Sequence, residues 1–165
     1  MFNRRFGCSR TLVYTKVTYT TPGTFFYTIP PGVSRIRITV AGGGGGNGSN
    51  ITGECGDVHY GGSGGIGGKI APTVVNGSGQ VTIVVGGRGG AGQNGGNSSV
   101  TVNGTTYTAT GGSRGGNGYC SYHYTKSGGS YSHGNGSAGA PGSPSGTGGT
   151  SGNGYVEIEF GGDIL

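Results

Sequence analysis

From Ala41 onward glycine returns at every third position in one run after another. Gly61, Gly64 and Gly67 keep that spacing, as do Gly62, Gly65 and Gly68. So do Gly86 to Gly95, Gly112 to Gly118, Gly136 to Gly142, and Gly146 to Gly152. Of the 45 glycines only Gly7, Gly23 and Gly32 precede Ala41, which leaves 42 for the rest of the 165 residues. An ordered glycine loses more backbone freedom than any other residue, so tracts this rich are either loose or held by something regular. A loose linker has no reason to keep a period. A polyproline-II spiral has about three residues per turn and no internal hydrogen bonds. Glycine at each third position leaves one of its sides bare, and two such spirals can then approach and pair their N–H and C=O groups. The spacing predicts packed polyglycine-II helices over about 41–49, 61–69, 86–97, 111–118 and 134–154. Collagen uses related packing between three chains, but six prolines and the interruptions between tracts argue against it here.

The interruptions read as β-strands. Val/Thr/Tyr-rich or alternating runs occupy Leu12 to Tyr19, Thr24 to Ile29, Val33 to Val40, Ile70 to Val75, Gln80 to Val85, Ser98 to Val102, Thr105 to Thr110 and Tyr155 to Phe160. Period-two logic puts Phe25, Tyr27 and Ile29 on one face, Ile36, Ile38 and Val40 on another, and Val156, Ile158 and Phe160 on a third. Pro22-Gly23 and Pro30-Pro31-Gly32 read as turns. Asn76-Gly77 and Asn103-Gly104 are expected between paired strands, with Asn103-Gly104 the stronger hairpin signal. If the strands carrying Arg35 and Arg37 and carrying Glu157 and Glu159 are neighbours, the two Arg would face the two Glu. No helical periodicity is present. The expected fold is all-β, a small β-sandwich joined to the polyglycine-II bundle.

Charge is sparse, ten Lys+Arg against five Asp+Glu for a net +5, and Arg4, Arg5 and Arg10 crowd the first ten residues. Residues 1–11 therefore read as a basic docking arm, 12–162 as a single domain and 163–165 as a tail. No apolar run reaches the roughly 18 residues of a membrane span, and MFNRRFGCSR has no apolar stretch behind its charges, so neither membrane insertion nor a secretory signal is expected. Three cysteines cannot all pair within one chain.

Tyr19-Thr20-Thr21-Pro22-Gly23-Thr24-Phe25-Phe26-Tyr27-Thr28-Ile29-Pro30-Pro31-Gly32-Val33, then Arg35-Ile36-Arg37-Ile38-Thr39-Val40 and a run of glycine, resembles the glycine-rich domain of phage tail-fibre and other virion proteins. Val81 to Gly90 and the closing Gly154-Tyr155-Val156-Glu157-Ile158-Glu159-Phe160 resemble later elements of the same domain, so the likeness covers about residues 12–162. It implies a sandwich joined to polyglycine-II helices, on a particle exterior, with loops between the helices touching a host receptor. Relatives usually carry the domain at the end of a longer fibre protein, whereas only a short arm precedes it here.

Two segments break the glycine pattern without reading as strands: Asn50 to Tyr60 and Tyr119 to His133. They hold every histidine and several of the tyrosines, and in such a fold they would be the loops between helices, where recognition sits. His59, Tyr60, Tyr119, Tyr122, His123, Tyr124, Lys126, Tyr131 and His133 are the receptor-contact candidates, since tyrosine joins a stacking face to a hydrogen-bonding tip. The competing reading packs these rings over the helix ends or between subunits. Cys55 and Cys120 lie one in each segment, and a disulfide between them would require the segments to meet. Cys55-x3-His59 with Cys120-x2-His123 supplies a zinc-type donor set but matches no zinc module, so neither a metal nor a cofactor is expected. Arg88 and Arg114 in Gly-rich settings resemble RNA-binding boxes, yet lack aromatic interleaving, and structural arginines are favoured over nucleic-acid binding. With five carboxylates, no supported triad and no Gly-Lys-Ser/Thr loop, an enzyme is not expected. The sequence thus points to a virion-surface protein of the tail fibre or spike, a homotrimer by analogy with other appendages. Its partners would be other virion proteins and a host saccharide or outer-membrane receptor. The alternatives are a decoration or cement protein without a receptor, a cellular extracellular filament protein, and an RNA-binding Gly/Arg protein.

Overall fold

The computed structural model describes residues 13–53, 56–125, 128–144 and 151–162, with the backbone alone for 122–125 and 128–133. The proposed arm, Arg4, Arg5, Arg10, Cys55 and Lys126 fall outside the described residues. Among the described residues there is no helix; twelve strands form antiparallel ladders. One four-stranded sheet joins β1 (Thr15–Tyr19), β12 (Tyr155–Phe160), β3 (Arg35–Ala41) and β6 (Lys69–Asn76), in that order. The other joins β2 (Gly23–Thr28), β7 (Gln80–Val85), β8 (Ser98–Val102) and β9 (Thr105–Ala109).

The alternation that predicted these strands also explains their packing. Ile36, Ile38, Val40, Val156 and Ile158 leave the first sheet on one side, and Val81, Ile83 and Val100 leave the second; all are fully buried in one shared core. Phe25, Tyr27 and Ile29 pack against that core from β2 and the residue after it. Each such buried aliphatic side chain contributes roughly 1.5–3 kcal/mol, which is what holds the two sheets face to face. Turn chemistry sets the corners. The Val33 amide donates to the Pro30 carbonyl at 3.2 Å and Gly32 has φ +89°, a type II turn with Pro31 leading. Asn103 (φ +48°) and Gly104 (φ +77°) form the type I′ hairpin between β8 and β9. Asn76-Gly77 does not close a hairpin, contrary to expectation. The strands on either side belong to different sheets, β6 pairing with β3 and β7 with β2, and the link is a crossing between layers.

The outer face of the first sheet carries charge. Arg37 stands opposite Glu159 in the ladder, and its Nε donates to Glu159 Oε2 at 2.8 Å. Arg35 and Glu157 do not pair as predicted: Thr39 lies opposite Glu157, and Lys16 from β1 reaches Glu157 at 2.8 Å and Glu159 at 3.7 Å. Burial pushes the Glu159 carboxyl up, but the Arg37 hydrogen bond and charge, Tyr14 and Lys16 together outweigh it and hold it below its usual range.

Between the strands lie the glycine-rich segments, and these bond to one another at three-residue intervals. In the first tract (42–48) the amides of Gly42, Gly45 and Gly48 donate to Gly68, Gly65 and Gly62 at 2.8–2.9 Å. The intervening amides of Gly43 and Gly46 donate to Gly96 and Gln93, and that of Gly44 to Gly152. Gly89, Gly112 and Gly115 donate back to carbonyls of the same tract. The second tract accepts at Tyr60, Ser63 and Ile66 from Gly136, Gly139 and Gly142. Expected as one tract, 86–97 instead doubles back at Ala91-Gly92, where Gly92 has φ +69° and the Gln93 amide donates to the Gly90 carbonyl. The glycine period runs straight through that turn, so it gave no sign of it.

Candidate functional site

The two segments rich in tyrosine and histidine are brought together by the glycine tracts. The first tract leaves β3 and the second enters β6; between them run β4 (Ile51–Thr52) and β5 (Val58–His59). A fourth tract (110–118) leaves β9, and a fifth (135–143) returns after β10 (Tyr119–Thr125) and β11 (Gly128–Gly134). Bonds between Gly42 and Gly68, Gly68 and Thr110, and Thr110 and Ser143 mark the end nearest the sheets. Bonds between Gly48 and Gly62, Gly118 and Ser49, and Gly136 and Tyr60 mark the opposite end. β10 and β4 touch there. Both segments therefore sit at the end of the tracts remote from the two sheets.

Neither segment is an irregular loop, which corrects the sequence reading. Ile51 pairs with His59 and Thr52 with Val58, while Tyr119 to Thr125 pairs in full register with Gly128 to Gly134. The second was hidden because Tyr-Cys-Ser-Tyr-His-Tyr-Thr alternates between residue types that are all partly polar, so the period-two signal is faint.

Exposure differs among the candidates. Tyr60 is 60% exposed and Tyr119 52% exposed, whereas His59 is buried at 7%. The register of β10 against β11 places Tyr122 opposite Tyr131, His123 opposite Ser130, and Cys120 opposite His133. Cys120 is half-buried at the start of β10, and its pairing with Cys55 lies outside the described residues. Of the described residues, no three His, Cys, Asp or Glu side chains gather as metal ligands would. A shallow groove of about 330 Å³ lined by Gly46, Asn47, Arg88, Gly89, Gly90 and Ala91 opens elsewhere on the tracts. Arg88 is exposed there, and the Arg114 guanidinium donates to the Gly92 carbonyl at 3.2 Å.

Asparagine does work that sequence reasoning missed. The side-chain oxygens of Asn117, Asn135 and Asn50 accept from the amides of Ser49, Tyr60 and Gly61 at the remote end, at 2.8–3.0 Å. Asn47, Asn94, Asn97 and Asn153 do the same for Gly64, Arg114, Gly111 and Arg88. Each replaces a backbone acceptor at a rim amide that no neighbouring tract reaches. The recurring Gly-Asn and Asn-Gly pairs outside hairpins were the available signal.

The family model of the glycine-rich domain matches residues 20–163, from the link before β2 through the last strand. The chain belongs to the glycine-rich domain family. No curated protein matches it. Within this glycine-rich domain the matched region includes every glycine tract, both sheets except β1, and both remote segments.

Proposed function

We propose that this glycine-rich domain is a non-enzymatic bacteriophage surface protein, the tip component of a tail fibre or spike. In this reading the tracts are polyglycine-II helices, a stiff spacer with the sheets at its base. The remote segments contact a host-surface receptor, and residues 1–11 dock the base to a neighbouring virion protein. The observation that carries the reading is the meeting of both aromatic segments at the end of the tracts opposite the sheets. A recognition surface works best on a rigid support. Hydrogen bonds at three-residue intervals support the helical reading, because only a spiral of about three residues per turn returns the same edge of the backbone to the same neighbour at that interval. At about 3.1 Å rise per residue such a spiral would carry the segments outward by roughly 20 Å over one tract.

Antibodies raised against the purified chain test this directly. Electron microscopy of particles from a lysate of cells that produce the chain is expected to show label on the outside of the particle, concentrated at an appendage tip. Label confined to cell surfaces or absent from particles would overturn the reading.

A further inference from the structure

The two four-stranded sheets end in β1, β6, β2 and β9, and three of these edge strands carry a feature that hinders further pairing. β1 holds Lys16. β6 holds Pro72, which has no N–H to offer, beside the register shift between Ile38 and Val40. β9 is only five residues long and packs against β3 and β6. β2 has no charge, no proline and no register shift, and among the described residues its one ladder partner is β7. The Ile29 amide donates to the Gly79 carbonyl at 2.9 Å, one step beyond the Thr28–Gln80 pair. Bonding alternates along an antiparallel ladder, so Tyr27, Phe25 and Gly23 also bond towards β7, while the N–H and C=O groups of Thr24, Phe26 and Thr28 point away from it. The side chains of these same three residues are exposed, and Phe26, at 63%, is one of the most exposed large apolar residues.

We propose that β2 pairs antiparallel with the β2 of a second copy of this chain, across a two-fold axis at Phe26, so that two sheets become one. The outward set of β2 is its own complement. With Phe26 opposite its counterpart, Thr24 of each copy stands opposite Thr28 of the other, and every outward N–H meets a C=O. Cross-strand aromatic pairs and threonine pairs are both favourable, and the Phe26 ring leaves water against its twin. Charge selects the same edge. The chain has a net charge of +5, so copies repel in general. No Asp, Glu, Lys or Arg occurs in β2, β7, β8 or β9, and two copies can meet there without setting like charges together. Pairing through β1 would instead bring Lys16 towards Lys16. One strand pair buries less than the approximately 800 Å² per partner of a standing interface, so the dimer is weak and depends on concentration. A surface that pairs with itself about a two-fold axis closes at two copies. The inference draws on the sheet alone and does not depend on the virion reading.

Sedimentation equilibrium of the full chain, over a concentration series up to about 1 mM, tests the proposal. The 16.2 kDa chain is expected to move from monomer towards a species of twice that mass and no further. Phe26→Lys sets two like charges on the axis and should weaken the dimer about tenfold or more. Its control lies in the same cross-strand row, which runs from Phe26 through Thr82 and Thr101 to Thr106 on the far edge. Thr106→Lys adds the same charge to the same face and should leave dimerisation within about twofold. Thermal melts of each variant show that the sandwich is intact. Thr24→Lys and Thr28→Lys, at exposed positions of the same strand, should also weaken the dimer, and they carry the test if Phe26→Lys does not melt cooperatively. A chain that stays monomeric throughout, a trimer, or a dimer weakened as much by Thr106→Lys as by the β2 variants would overturn the proposal.

Discussion

β3 and the first glycine tract are consecutive in the chain and are held by opposite means. In Arg35–Ala41 the side chains of Ile36, Ile38 and Val40 are fully buried, and stability comes from apolar area removed from water. In 42–48 the buried surface is the backbone itself. A Cβ on Gly43 would lie 2.1 Å from the Gly87 carbonyl oxygen, on Gly45 2.1 Å from that of Ser113, and on Gly46 1.7 Å from that of Gly90. Successive glycines of this tract meet different neighbours, so none of Gly42, Gly43, Gly44, Gly45 and Gly46 has an open side. The fifth tract is bonded along fewer sides, and there Ala138, Ala140 and Pro141 are tolerated at exposed positions. The density of glycine in each tract thus reports how many neighbours surround it. β3 is filled by side chains, and the tract that follows is filled by their absence.

The sharpest way to break that contrast is to add one methyl group to the tract. Gly46→Ala is expected to destabilise the domain by about 4 kcal/mol or more, at the extreme of single-substitution effects, because rigid backbone stands where the methyl must go. The matching change in the sheet removes one methyl: Ile38→Val should cost about 0.5–1.5 kcal/mol, with the fold intact. At roughly 2–4 °C per kcal/mol for a domain of this size, thermal melts separate the two readily. A Gly46→Ala protein melting within a few degrees of the parent would mean that the first tract has slack that its contacts deny.

Much of this arrangement is legible in the sequence because two periodicities alternate. Period two in Gln80–Val85 and Tyr155–Phe160 fixes which residues enter the core, and the core matches it residue for residue at Val81, Ile83, Val156 and Ile158. Period three names the segments where backbone meets backbone. Connections are less legible. Asn76-Gly77 carries the local chemistry of a hairpin, but the choice of partner for β6 and β7 is made by long-range packing. The reversal at Ala91-Gly92 is silent because glycine suits both a packed tract and a turn with positive φ. At the remote end the presence of a distinct aromatic segment was readable, whereas its folding into β10 and β11 and the resulting division into two faces depend on register.

The smallest predicted effect lies on the outer face of the sheet and follows from a pairing that composition could not assign. Lys16 reaches two carboxylates that are about 140 positions away in the chain, Glu157 and Glu159. The Glu159 carboxyl is held below its usual pKa, the outcome of a burial effect that raises it and the stronger combined pull of Arg37, Tyr14 and Lys16. A carboxylate depressed in the folded state binds its proton more readily when unfolded, so its contribution is complete above the unfolded pKa and disappears as pH falls through the folded one. Stability should therefore decline as pH drops below about 4, and Glu159→Gln should flatten that part of the profile. Because the Arg37 and Lys16 ends are partly open to solvent, salt will screen the interaction and its size will stay below that of Ile38→Val. Urea midpoints at pH 7 and pH 3, at low and high salt, check this. A Glu159→Gln protein with an undiminished acid dependence would shift the sensitivity to another carboxylate. With the acid response assigned to the sheet, the glycine tracts, bonded through uncharged backbone, should contribute nothing to it.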